Sequence, residues 1–394
     1  MNIGRTVFSQ VLDYLPEHVF RQAVTRYRGD HRVRRFTCWQ QFLCMAFAQL
    51  TYRESLRDIE ACSRSLGSAL YHNGFTADVS HSTLADANKQ RPWQIYRDVA
   101  LHLIEQARLL YRDDKFALAQ FDGVLYAFDA TIIDLCLALF PWAKAHVHQR
   151  TRAGIKLHTL YDVQAQLPVV VRVTAANIQD IRMLGQLDIQ SGAYYLLDRG
   201  FADFRQLRRI DQHAAYFVTR ARKNLRYHRV YSLPSNKLVG VRTDQAILLE
   251  VPLTRLYYPD QLRRIRFFDI EQQRTLVFLT NNFTLDALTI ADLYKARWHI
   301  ELFFRWIKQH LRIKAFHGTS PNAVRTQVWI ATTVYVLIAI IKKRLQLDAM
   351  SLYTILQILS ITILQKEPLY QVLTATDYRF LDTCPPNQLQ LFDF

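Results

Sequence analysis

Several protein classes are argued against by what this 394-residue chain lacks. Five cysteines occur, Cys38, Cys44, Cys62, Cys136 and Cys384. Their odd number, irregular spacing and mostly apolar surroundings argue against a disulfide framework or a zinc knuckle, and fit a reducing cytoplasm. No secretory signal is visible, since Arg5, Asp13 and Glu17 come early without a long apolar run between them. The most membrane-like stretch, Thr326 to Ile341, has 16 uncharged residues ahead of Lys342, Lys343 and Arg344. A span needs about 20, so a buried core helix is expected and no membrane partner. Internal repeats and low-complexity segments are absent. Acidic residues are few beside basic ones: 50 Lys plus Arg less 34 Asp plus Glu leave +16. The excess runs along the whole chain, as in a folded protein that embraces a polyanion, with nucleic acid the leading partner.

The length allows a large core and two or three domains. Residues 1–115 carry apolar positions at three- and four-residue spacing and predict a helical region. Pro92 suits the first position of a helix over Trp93 to Leu110, with Arg91 pushed out of helical geometry before it. Ser80 to Thr83 offers an N-cap for a small helix holding Asn88, Lys89, Gln90 and Arg91, read either as a DNA contact or as simple packing.

From about residue 120 the pattern is that of strands: Val124 to Thr131, Ile155 to Val163, Pro168 to Thr174, Ala193 to Leu197 and Ala214 to Thr219. Helical stretches at Ile181 to Ile189 and Asp203 to Gln212 fall between the later ones. Three consecutive strands followed by alternation predict a mixed α/β sheet of ribonuclease-H-like layout over 116–318, with a β-rich insertion at about 222–283. In that insertion Lys plus Arg exceed Asp plus Glu by 11 − 5 = +6, with Tyr227, Tyr231, Tyr257 and Tyr258 interleaved. Such a module suits distorted DNA, or is an ordinary solvated insertion. Residues 319–394 predict two apolar helices, about Asn322 to Leu345 and Ser351 to Leu364, and a polar tail.

Near the C-terminal third, Tyr294, Arg297, Glu301 and Lys308 stand at offsets of three, seven and fourteen. At about 100° per residue they share an arc of about 60° on one helix. Leu293, Ile300, Phe303, Phe304, Ile307 and Leu311 line the adjoining arc and bury the helix beside that face. A salt-bridged solvated face is the ordinary reading of such charges. Against it stand the apolar run Trp298 to Ile307, the additional cations Arg305 and Arg312, and the presence of suitable acids upstream.

Cutting a phosphodiester calls for cations on the attacking and leaving oxygens, hence for acids at strand ends in an apolar core. Asp129 ends the run Val124 to Phe128, where a charge is costly unless paired or metal-bound. Asp198 ends Tyr194 to Leu197, and Gly200 after it allows a sharp exit from the strand. Carboxyl ends of strands in α/β sheets gather ligands. Asp122, Asp134 and Asp188 compete, Asp134 most seriously. His158 and His299 read as structural. Lys144, Arg150, Arg152 and Lys156 read as a basic loop against backbone phosphate.

Asp129, the run Asp198-Arg199-Gly200-Phe201 and the spacing Tyr-x2-Arg-x3-Glu-x6-Lys resemble the DDE transposases of the bacterial insertion sequence 4 family over nearly the full chain. The resemblance implies a cut-and-paste transposase in which Asp129, Asp198 and Glu301 bind two magnesium ions, with manganese as a substitute. Tyr294, Arg297 and Lys308 would hold phosphates of the transposon end. It further implies nicking by water, hairpin formation and reopening, and joining to target. The partners would be double-stranded DNA, as terminal inverted repeats and target, and a second copy in a synaptic homodimer at the nucleoid. Residues 1–115 would bind DNA. The alternatives are an inactive DNA-binding regulator and a magnesium-dependent nuclease without strand transfer.

Overall fold

The computed structural model describes residues 4–66, 71, 73–75, 79–112, 123–143, 152–310 and 316–374. Three- and four-residue apolar spacing at the N-terminus gives α1 (Val7–Leu12), α2 (Glu17–Arg26), α3 (Cys38–Leu50), α4 (Leu56–Leu66), α5 (His81–Gln90) and α6 (Gln94–Leu110). Hydroxyl N-caps set several starts: Thr6, Thr37 and Ser80 accept from the backbone N–H three residues on. Each such cap is worth about 1 kcal/mol. Arg91 is extended as expected. Pro92, however, lies outside α6, whose N-cap is Trp93.

β1 (Leu125–Cys136), β2 (Arg152–Asp162) and β3 (Leu167–Ala175) form an antiparallel meander. α7 (Asp180–Leu184) then leads to β4 (Tyr194–Leu197), and α8 (Phe204–Gln212), capped by Asp203, leads to β5 (Tyr216–Arg220). β4 pairs parallel with both β1 and β5, so β3-β2-β1-β4-β5 has the expected mixed, ribonuclease-H-like order. α7 is shorter than its sequence pattern, because Gly185 caps it and the chain turns there.

The insertion does not form a detached module. β6 (Tyr227–Ser232), β7 (Val241–Leu249), α9 (Pro252–Tyr257), β8 (Leu262–Asp269) and β9 (Arg274–Thr280) return the chain to β5, where Val218 to Arg220 pair antiparallel with Thr280 to Phe278. Among the described residues the strands form one sheet, in the order β3-β2-β1-β4-β5-β9-β8-β7-β6.

Strand alternation sends Leu125, Ala127 and Ile133 to one face of β1, and Tyr126 and Phe128 to the other. The first face meets the terminal helices. α10 (Ala287–Ala296), α11 (Trp298–His310), α12 (Pro321–Arg344), α13 (Leu352–Thr362) and α14 (Leu369–Thr374) complete the described chain. One apolar cluster joins Val7 and Phe8 of α1, these sheet residues and Leu373 of α14. α12 is its axis: every residue from Thr326 to Ile341 is buried, and the hydroxyls of Thr332 and Thr333 bond back to the carbonyls of Val328 and Trp329. The apolar run read as a core helix is one.

Candidate active site

Sheet register brings the first two acids together. Parallel pairing of β1 with β4 ends at Phe128↔Leu197, so the next residues, Asp129 and Asp198, emerge side by side from neighbouring strands. Asp129 was expected at a strand end; it sits mid-strand, because Thr131 to Cys136 extend the pairing with β2. Only its β4 side is open. The rival Asp134 lies five residues on, hence on the opposite face, and is exposed. Asp188 is exposed beyond the end of α7, and Asp122 lies outside the described residues.

Asp198 leaves β4 through a single 3-10 turn, Arg199 to Phe201, closed by the Phe201 N–H on the Asp198 carbonyl at 2.9 Å. Phe201 packs edge-on against Phe128, 5.2 Å between centroids, and anchors the turn. Gly200 has no left-handed backbone, and a Cβ there would meet nothing within 4 Å. The strand exit therefore does not need glycine, contrary to the sequence reading.

The third acid comes from the helical segment, which is divided at Arg297. Three-residue bonds, Arg297 N–H to Tyr294 O at 3.2 Å and Ile300 N–H to Arg297 O at 3.1 Å, tighten the ladder where one continuous helix was expected. The shared face survives the break. Arg297 Nη1 donates to Asp129 Oδ2 at 3.3 Å and Nη2 to Glu301 Oε1 at 2.5 Å, while the Tyr294 hydroxyl donates to Asp198 Oδ1 at 3.3 Å. Asp129, Asp198 and Glu301 thus surround one guanidinium and one phenol. Lys308 stands apart, half-buried and about 10 Å farther along α11 from Glu301. Leu311 and Arg312 lie outside the described residues.

Electrostatics follow from crowding. Burial pushes the Asp129 carboxyl up to about 6; the Ala130 N–H and Arg297 pull it back, and Asp198 and Glu301 push it further up. Burial likewise lifts the Tyr294 phenol to about 12, leaving it a neutral hydrogen-bond donor at pH 7. An all-oxygen donor set whose acids repel one another suits a hard divalent cation. Among the described residues no three ligating groups stand close enough to share an ion as they are. Arg297 lies between Asp129 and Glu301.

Other candidates have structural partners. His158 is 1 % exposed, shares a hydrogen bond with Thr174 Oγ1 at 2.8 Å and is pushed down to about 4 by burial. Burial also lowers His299. Lys156 corrects the basic-loop reading: it is buried in β2, 3.0 Å from Asp180, and bonds the Ile178 carbonyl. Lys144 and Arg150 lie outside the described residues, as does the side chain of Arg152. Asn88 and Arg91 do not face solvent for DNA. Asn88 accepts from Gln41, and Arg91 bonds the carbonyls of Thr37 and Phe36, while Lys89 and Gln90 remain exposed. Tyr258 is core, 1 % exposed and bonded to Asp211, and Tyr257 stacks under Arg205. Tyr231 is the exposed member of that quartet, at 45 %.

Two cations were not singled out from the sequence. Arg220 follows Thr219, the register partner of Leu197, and so ends β5 beside Asp198; its charge acts on Tyr294. Arg199 directly follows Asp198. Like Arg297, both have a buried Nε without a hydrogen-bond partner among the described residues. Arg199 was legible as a neighbour of Asp198, whereas Arg220 required the strand order.

Residues 120–337 match the family model described as a transposase DDE domain, and residues 3–76 a domain of unknown function. A Sinorhizobium fredii protein bearing a transposase name, y4zB, is 33% identical over 269 residues, 65% of this chain and 70% of that protein. A Geobacillus stearothermophilus protein named for the transposase of insertion sequence element IS5377 is 30% identical over 260 residues, 66% of each. A Synechocystis protein named for the transposase of element IS4SA is 21% identical over 284 residues, 71% of this chain and 76% of that protein.

Proposed function

The chain belongs to the transposase DDE-domain family, and from that premise we propose that it mobilises a bacterial insertion sequence of the insertion sequence 4 group by cut and paste. It is a DNA transposase, an enzyme that cleaves and transfers DNA strands, of a family that generally uses divalent metal. The supporting observation is the meeting of Asp129, Asp198 and Glu301 around Arg297 and Tyr294. These three acids would hold two magnesium ions, or manganese in their place, which when bound supply charge stabilisation to the attacking and leaving oxygens of a phosphodiester.

The protein's own groups do the positioning. Tyr294, neutral at pH 7, donates to whatever anion replaces Asp198 as its acceptor. Arg297, Arg199, Arg220 and Lys308 supply cations for end phosphates, and the half-buried setting of the three arginines strengthens each contact. One displacement geometry would serve end nicking, hairpin formation and opening, and joining to target. Two copies would pair the two ends, in the bacterial cytoplasm, with residues 1–115 helping to bind DNA.

The test is a magnesium assay on duplexes carrying the element's terminal inverted repeats. Nicks, hairpins and joined products are expected. Asp198→Ala or Glu301→Ala should cut at least about a thousandfold more slowly with end binding kept, and retained cutting would remove the site. Binding without cleavage would indicate a regulator; cleavage without joined products, a nuclease.

A further inference from the structure

Arg297 occupies the place that the function needs for a different cation. Its two terminal nitrogens reach Asp129 and Glu301, one from the sheet and one from α11, and its side chain is only 13 % exposed. A group so held neutralises the acids, and it also stands in the way of any ion that must touch both. Oxygens on one magnesium ion lie about 2.0–2.1 Å from it, a spacing that leaves no room for a guanidinium between the ligating acids. Arg297 must therefore move before the acids can share an ion. Leaving both carboxylates strips the half-buried guanidinium of its counter-charge, and the anion that the proposed function brings in their place is a phosphate of the transposon end.

We infer that Arg297 is an internal counter-cation that couples metal loading to binding of the DNA end. This rests on the three acids being the metal site. Without DNA the guanidinium holds Asp129 and Glu301 in place and weakens metal binding. With the end bound it transfers to phosphate, and the vacated acids take the metal. Linkage then requires the effect to be mutual: the end tightens metal binding by the same factor by which metal tightens end binding. A transposase so built stays poorly loaded while it is away from its own ends, which limits stray nicking.

Mn2+ binding to the full chain, followed by loss of the free-ion electron paramagnetic resonance signal, tests this with and without a pre-cleaved end duplex, correcting for Mn2+ on DNA alone. The end should tighten Mn2+ at least about tenfold. Arg297→Gln should bind Mn2+ at least about tenfold more tightly than the parent without DNA, and the DNA effect should largely vanish. Unchanged or weaker DNA-free affinity in Arg297→Gln overturns the inference while leaving the metal site standing. If Glu301→Ala binds Mn2+ as the parent does, in both conditions, the site itself is refuted and the inference with it. Should Arg297→Gln not fold, Arg297→Lys takes its place: a single ammonium cannot bridge both acids as the guanidinium fork does, so DNA-free Mn2+ binding should tighten here too, and an affinity equal to the parent's overturns the coupling.

Discussion

Arg263 in β8 is buried and Arg297 between α10 and α11 half-buried, and their surroundings differ in kind. Arg263 meets one acid, Asp244, through two bonds of 3.0 and 2.7 Å, and its remaining nitrogen donates to the carbonyls of Asn282 and Leu285. The pair is 5 % and 1 % exposed. Charge and hydrogen-bonding capacity are closed there, which is how a fold tolerates buried ions. Arg297 meets two acids, with a third on neighbouring Tyr294, and its Nε has no partner among the described residues. Asp129 and Glu301 keep 20 % and 32 % of their side chains in contact with solvent. A guanidinium shared by two partly exposed acids, its Nε unpaired among the described residues, is an unfinished set, and unfinished charge marks chemistry more than stability.

The sharpest way to break that contrast is Arg263→Ala. It leaves Asp244 buried without a counter-charge and should destabilise the fold by about 3–5 kcal/mol. Arg297→Ala, whose acids can turn to water, should cost no more than about 1–2 kcal/mol. Urea unfolding of both variants decides, and equal losses would erase the distinction.

His158 extends the comparison to acid stability. Its folded value, about 4, lies below its ordinary value of 6.5, so the fold favours the neutral ring. Stability from this group is present above 6.5 and is lost as pH falls from 6.5 towards 4. Melting temperatures of metal-free protein should fall across that window by up to about one proton's slope more steeply than in His158→Gln. Parallel profiles would show that His158 does not carry the loss. The smallest effect belongs to Lys308→Ala: the salt dependence of end binding should drop by about one phosphate contact, with folding unchanged. An unaltered slope would place Lys308 outside the DNA surface.

How much of the site is legible in the sequence depends on the distance over which each signal acts. The Tyr294, Arg297, Glu301 and Lys308 spacing was legible because a helix repeats every few residues, and it survived the break at Arg297. Asp198 was legible as the polar end of an apolar strand. The sequence favours Asp129, the polar end of the run Val124 to Phe128, with Asp134 as its most serious rival; what it cannot show is the parallel register with β4 that sets Asp129 beside Asp198. The sequence reads Lys156 as a loop cation and leaves Arg91 open between DNA contact and packing, because their partners, Asp180 and the carbonyls of Thr37 and Phe36, are remote from them in the chain or belong to the backbone. The insertion was legible as strands. Its fusion to β5 was not, since strand pairing leaves no trace in local pattern.

By itself, then, the sequence determined the periodic things: where helices and strands run, which faces are apolar, and that a chemical face recurs beside Glu301. Backbone geometry sets those periods, so local spacing is enough. Only the tertiary structure decided that Arg297 sits between Asp129 and Glu301, residues 168 positions apart in the first case and four in the second. Charges act through space over a few ångströms, and that proximity is made by register and packing.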